Sequence, residues 1–143
     1  MEPKAKLLVV LAVIILSTLV LPACGGSQPE AGVTVEKLAG VWRHDKSGRH
    51  LQLNEDGTYR YASAAAWLEQ APREVGQYRL EGTTLTLIAS DESHDCKGQP
   101  GSYQVELRGE DQLQFVLQED ACQLRASGST RAGHGGTWSR VEP

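Results

Sequence analysis

From Gly40 onward the chain repeats one small pattern, a glycine followed two positions on by an aromatic ring, and this constrains its fold more than any other feature. The pattern recurs as Gly40-Val41-Trp42, Gly57-Thr58-Tyr59, Gly76-Gln77-Tyr78, Gly101-Ser102-Tyr103 and Gly136-Thr137-Trp138. A glycine able to take positive φ, with a large ring just beyond it, suits a turn that feeds a strand. Apolar and polar residues then alternate, as in half-buried strands. Leu51 and Leu53 alternate with Gln52 and Asn54, and Tyr59 and Tyr61 flank Arg60. Leu85, Leu87 and Ala89 alternate with Thr84, Thr86 and Ile88, and Tyr103, Val105 and Leu107 with Gln104, Glu106 and Arg108. Leu113, Phe115 and Leu117 complete the set.

Turn chemistry joins these runs: Asn54-Glu55-Asp56-Gly57, Glu81-Gly82 and Arg108-Gly109-Glu110-Asp111. About eight strands are expected, near 41–45, 49–54, 58–62, 75–81, 84–89, 102–108, 112–118 and 136–141. With tight turns and no long helix between them, they predict an all-β fold, an antiparallel up-and-down barrel. Eight strands suffice to close such a sheet and abolish its edges. Two segments depart from the meander. Val33–Leu38 reads as one helical turn capped by Thr34, and Ser63–Gln70 as a short helix with Ser63 as its cap and Pro72 just beyond. The second would sit at one mouth of the barrel.

The first 23 residues follow different rules. Lys4 and Lys6 precede an uncharged run of 15 residues, Leu7 to Leu21, which is too short to span a bilayer but fits the apolar region of a secretory signal. Leu21-Pro22-Ala23-Cys24 resembles the lipobox of bacterial lipoproteins, with Pro22 as a departure from the usual small, non-cyclic residue. The resemblance implies cleavage before Cys24, acylation of its sulfur and anchoring in membrane lipid through the acyl chains. The plainer alternative is ordinary secretion with Cys24 a free or paired thiol. Residues 24–33, including GGSQPEAG, then form a flexible tether, and 34–143 the barrel domain. Gly25, unlike an Asp there, does not suggest inner-membrane retention, so the outer membrane and the outer face of the cytoplasmic membrane both stay open.

Cleavage removes Lys4, Lys6 and Glu2, leaving 12 Lys+Arg against 17 Asp+Glu, a formal charge of −5. No basic run occurs, which argues against nucleic acid as a partner. One domain and a monomer are expected. With Cys24 assigned to lipid, Cys96 and Cys122 are an even pair in an oxidising compartment and predict a disulfide. The strands around Tyr103–Leu107 and Leu113–Leu117 can pair with residue numbers summing to 218 or 220, and the 218 register would put Cys96 opposite Cys122.

Gly40-Val41-Trp42 after a short helical turn resembles the opening motif of lipocalin and broader calycin barrels. The resemblance covers about residues 36–141 and implies that Trp42 closes one end while an Arg from the last strand packs over it. Arg140 matches, and Arg125 is a second candidate. Such barrels include carriers, inhibitors and proteins with no known ligand, and a binding rather than catalytic role with no cofactor is expected here. A small, hydrophobic ligand would meet Tyr59, Tyr61, Tyr78, Tyr103 and Phe115, with Trp67 and Leu68 facing it from the 63–70 lid, unless these residues simply fill the core. The alternative is a protein-binding module of the envelope, such as a protease inhibitor.

Catalysis is not expected. His44, His50, His94 and His134 show no metal-binding spacing, and no nucleophile elbow or phosphate loop occurs. Folding could bring His44 and His50 together with Asp45, although surface histidines in a turn are the simpler reading. Asp91-Glu92 and Glu119-Asp120 read as solvated turns beside the cysteines, with a calcium site as the alternative, and Arg125–Gly136 as a mobile loop.

Overall fold

The structure, a computed structural model, describes residues 32–127 and 133–142. Eight strands run in chain order: β1 (Gly40–His44), β2 (His50–Leu53), β3 (Thr58–Ala62), β4 (Glu74–Glu81), β5 (Thr84–Ala89), β6 (Pro100–Arg108), β7 (Gln112–Asp120) and β8 (Gly136–Arg140). Each pairs antiparallel with the next, and β8 returns to β1, so the sheet closes into the expected up-and-down barrel. The predicted strands are all present, with ends differing by one or two residues. No helix among the described residues is long and apolar enough to cross a membrane.

Alternation places one face of every strand inside. Trp42, Leu51, Tyr59, Leu85, Val105 and Leu113 are among the side chains that meet in one continuous core. Helix α1 (Val35–Leu38) lies ahead of β1, and Thr34 caps it by accepting the Lys37 N–H at 3.4 Å. Its Leu38 joins the core, and the Leu38 carbonyl accepts the indole N–H of Trp42 at 2.8 Å.

The β1–β8 seam carries a local two-fold pattern. Trp42 faces Arg140, and His44 faces Trp138, about the central pair Arg43 and Ser139. Each tryptophan follows a glycine with positive φ, Gly40 at 135° and Gly136 at 123°. Each indole N–H donates to the carbonyl four residues back, Leu38 for Trp42 and His134 for Trp138. A Cβ on Gly40 would meet the Arg140 guanidinium at 2.5 Å, and one on Gly136 the His44 ring at 2.9 Å. The repeated Gly-x-Trp therefore has two causes at this seam, an unusual backbone and a close approach by the partner strand.

Two local expectations need correction. The helix expected over 63–70 shrinks to α2 (Trp67–Gln70), whose N-cap is Ala66 with no side-chain hydrogen bond, so Ser63 is not the cap. Nor does α2 cover a barrel mouth. Arg60, which alternates with inward Tyr59 and Tyr61, donates to the Leu68 carbonyl and binds Glu69, so α2 folds back along the outer wall. The disulfide forms, with its Cα atoms 5.3 Å apart, but not through the 218 register. β6 and β7 pair at 220, as in Val105 with Phe115, until a bulge at Ser102/Tyr103 leaves Gln118 as an extra residue and brings Gly101 opposite Asp120. Both cysteines lie beyond the ladder: Cys96 in the β5–β6 connection at φ 56°, and Cys122 as N-cap of α3 (Gln123–Ala126).

Candidate functional site

The two ends of the barrel are closed by different chemistry. At the α1 end, Arg140 lies over Trp42 with its guanidinium carbon 4.2 Å from the ring centroid. Its donors reach the carbonyls of Lys37 at 2.6 Å, Ala39 at 2.8 Å and Glu110 at 2.9 Å, which ties α1 and the β6–β7 turn to the last strand. Of the two candidate arginines, Arg140 is the one on Trp42.

Arg125 takes a place the sequence does not suggest, inside the opposite end. Its side chain is 0 % exposed, and so is that of Asp120, while Glu74 is 2 % exposed. Arg125 Nε donates to Asp120 at 3.0 Å, Nη1 to Glu74 at 3.3 Å and to the Tyr59 hydroxyl at 3.4 Å, and Nη2 to the Gln99 carbonyl at 2.5 Å. Asp120 also accepts the Tyr103 hydroxyl and the Cys122 N–H. Tyr59 donates to Glu74 at 3.2 Å, and the His134 ring lies 3.8 Å from that carboxylate and 4.2 Å from the Tyr61 ring. Burial pushes the Glu74 carboxyl up to about 7 against the pull of Arg125. Burial, then the Asp120 carboxylate, holds the Tyr103 phenol far above its usual range.

Neither Glu119 nor Asp120 is a turn residue, since both belong to β7; Glu119 is exposed there and the Asp120 side chain is buried, while Asp91 and Glu92 are exposed in the β5–β6 connection. The bulge reverses the inward parity of β7 and turns Asp120 into the barrel. The segment read as a mobile loop is pinned on both sides, at Arg125 and at fully buried His134, with residues 128–132 outside the described set.

Of the expected ligand contacts, Tyr59, Tyr61, Tyr103 and Phe115 are at most 1 % exposed and Tyr78 is 4 % exposed, its hydroxyl donating to the Asn54 carbonyl at 2.6 Å. They fill the interior against one another. Trp67 stands 51 % exposed, so it neither faces a cavity nor packs as core. Leu68 is buried, but on the outer wall, where it lines a cleft of about 490 Å³ with Val41, Gln52, Val141 and Arg140. Among the described residues, Ile88, Val116, Leu117 and Leu124 are the other large apolar side chains at the surface.

The histidines do not converge either. His44 points inward, where Nδ1 accepts the Ser47 N–H at 3.1 Å and Nε2 lies 3.1 Å from the Gly135 carbonyl. His50 faces Arg43 on the other face of the sheet, and burial and then that charge hold its pKa down. Asp45 accepts the Ser139 hydroxyl at 2.7 Å. Among the described residues no group of three or more His, Cys, Asp or Glu side chains is placed to hold a metal ion. Cys24 and residues 1–23, read from the sequence as a secretory signal, lie outside the described residues. No protein-family model, curated protein or solved structure matches this chain.

Proposed function

We propose that this chain is a cell-envelope lipoprotein, tethered by acyl chains on Cys24, whose barrel is a rigid, non-enzymatic module that binds a protein partner on its outer surface. One observation carries the choice of partner. The rings that would contact an internal ligand are packed among themselves, while Trp67, Val116, Leu117 and Leu124 stand outside with large exposed area. Exposed tryptophan is characteristic of protein-binding surfaces, and a filled barrel presents such groups without reorganisation cost. Acyl chains would confine the module to a membrane face, either the outer membrane or the outer face of the cytoplasmic membrane.

A second reading, binding of a small apolar molecule, draws on the cleft of about 490 Å³ beside Leu68, a volume suited to a ligand of modest size. Photo-crosslinking of the full-length chain in intact cells separates the two. A benzophenone side chain at Trp67 or Val116 is expected to trap a discrete protein. No protein adduct, together with a small molecule co-purifying with the chain in native mass spectrometry, would overturn the protein-partner reading. Loss of membrane fractionation in Cys24→Ala tests the anchor; unchanged fractionation would refute it.

A further inference from the structure

Two side-chain attachments of different kinds hold helix α3, beside a backbone bond from the His134 N–H to the Arg125 carbonyl at 3.2 Å. A helix of four residues is not stable alone, and the only side chain α3 buries is that of Arg125, while Leu124 stands 50 % exposed. No apolar side chain of α3 enters the core. One attachment is the Arg125 guanidinium between Glu74 and Asp120; the other is the bond from Cys122 to Cys96.

The Cys96 side is fixed independently. The Ser93 hydroxyl accepts the Val75 N–H at 2.9 Å and donates to the Val75 carbonyl at 2.7 Å. Asp95 takes two bonds from Arg73, at 2.7 and 3.1 Å, and its N–H donates to the Arg73 carbonyl. The Gly98 N–H donates to Ala89 at 2.9 Å. Cutting the disulfide would leave Cys96 in place and release α3.

We propose that the Cys96–Cys122 disulfide is a redox latch: its reduction lets α3 leave the barrel end, withdraws Arg125 and opens the polar end of the core to water. The reductant is a dithiol. One of its thiolates attacks Cys96, the more exposed cysteine, at 7 % against 3 % for Cys122. The sulfur–sulfur bond breaks, and Cys122 leaves as a thiolate that takes a proton. The second thiol of the reductant then displaces Cys96, which is protonated in turn, and the dithiol becomes a disulfide. Two electrons and two protons pass to the protein.

The ionic attachment does not hold α3 against this. Glu74 and Asp120 are desolvated by the contact, so hydration of both carboxylates on opening offsets much of the ion pairing lost. While the disulfide is closed it restricts Arg125 to positions beside both carboxylates; after reduction the short chain link still keeps it near Asp120, but its approach to Glu74 loses that restriction.

Hydrogen exchange read by mass spectrometry tests the latch in the full-length chain in detergent, oxidised or treated with dithiothreitol. Peptides covering 121–127 are expected to exchange at least ten-fold faster after reduction, while those covering 84–89, 90–99 and 102–108 keep their rates. Cys96→Ser/Cys122→Ser should show the same pattern without reductant. Unchanged exchange at 121–127, or equal acceleration in every strand, would overturn the proposal, the second because the bond would then be a staple of the whole barrel.

Discussion

Arg140 and Trp42 face each other across the β1–β8 seam, with the guanidinium 4.2 Å from the indole centroid. The contact joins the first strand to the last, so it closes the barrel as well as capping one end. Three backbone carbonyls complete the guanidinium's bonding. Arg140→Ala removes the stacking and leaves those carbonyls without their donors, which should cost about 2–3 kcal/mol. Arg140→Lys should recover less than half, since an ammonium cannot reproduce the planar fork. Urea denaturation checks both, with Arg79→Ala, at an exposed β4 position, expected within about 0.5 kcal/mol of the parent chain.

At the opposite end the expected effect is larger but not additive. Arg125→Met leaves the Asp120 carboxylate, and above about pH 7 that of Glu74 as well, buried without its cation and should cost about 3–5 kcal/mol. Adding Glu74→Gln and Asp120→Asn removes the charges that arginine neutralised, so the triple variant should be more stable than Arg125→Met alone. A triple variant as unstable as the sum of its parts would show the three groups to be energetically independent.

Stability should depend on pH through Glu74. Its folded pKa, about 7, lies above the ordinary 4.5, so the folded state holds a proton that the unfolded chain has released. Between those two values stability falls as pH rises, by at most about 1.4 kcal/mol per unit, and it levels off above the upper one. Below the lower value the contribution is fully present. Glu74→Gln should abolish that slope, seen as the difference between the two proteins' unfolding free energies from pH 5 to 8.

Strand order, barrel closure and the α1 cap were legible because each rests on local alternation or turn chemistry, whereas an arginine over Trp42 was expected only through the resemblance to calycin barrels, which left Arg140 and Arg125 both open. Glu74 was legible in principle, since it shares the inward parity of Gly76 and Tyr78, but it interrupts an apolar pattern and so passes for a strand end. Asp120 was hidden by the bulge: one extra residue at Gln118 reverses parity, and nothing local in the sequence marks it. Arg125 was hidden twice over, by a Gly/Ser-rich neighbourhood that reads as loop and by a burial that exists only once β4 and β7 have delivered their carboxylates. The disulfide was foreseen from cysteine count, while its geometry depended on the same unseen bulge.

The Gly-x-aromatic pattern itself had more than one cause, and this gives a last prediction. Gly57 takes positive φ, at 82°, in a turn, but Gly76 and Gly101 have no such backbone. They are glycine for want of space. A Cβ on Gly76 would overlap the Ile88 carbonyl and approach the Tyr59 ring to 2.9 Å; on Gly101 it would overlap the Asp120 carboxylate. The two obstacles differ in how far they can yield. Ile88 O belongs to the β4–β5 ladder, so Gly76→Ala must shift a strand and should cost about 3 kcal/mol or more, above the range for simple overpacking. Asp120 is a side chain, yet one held by Arg125, Tyr103 and the Cys122 N–H, so Gly101→Ala should act by loosening that cluster. Its cost should shrink when Asp120 is already Asn and Arg125 already Met, whereas the cost of Gly76→Ala should not change. Thermal unfolding of both alanine variants in the two backgrounds distinguishes steric from electrostatic coupling, and equal costs for Gly101→Ala in both would refute the link to Arg125.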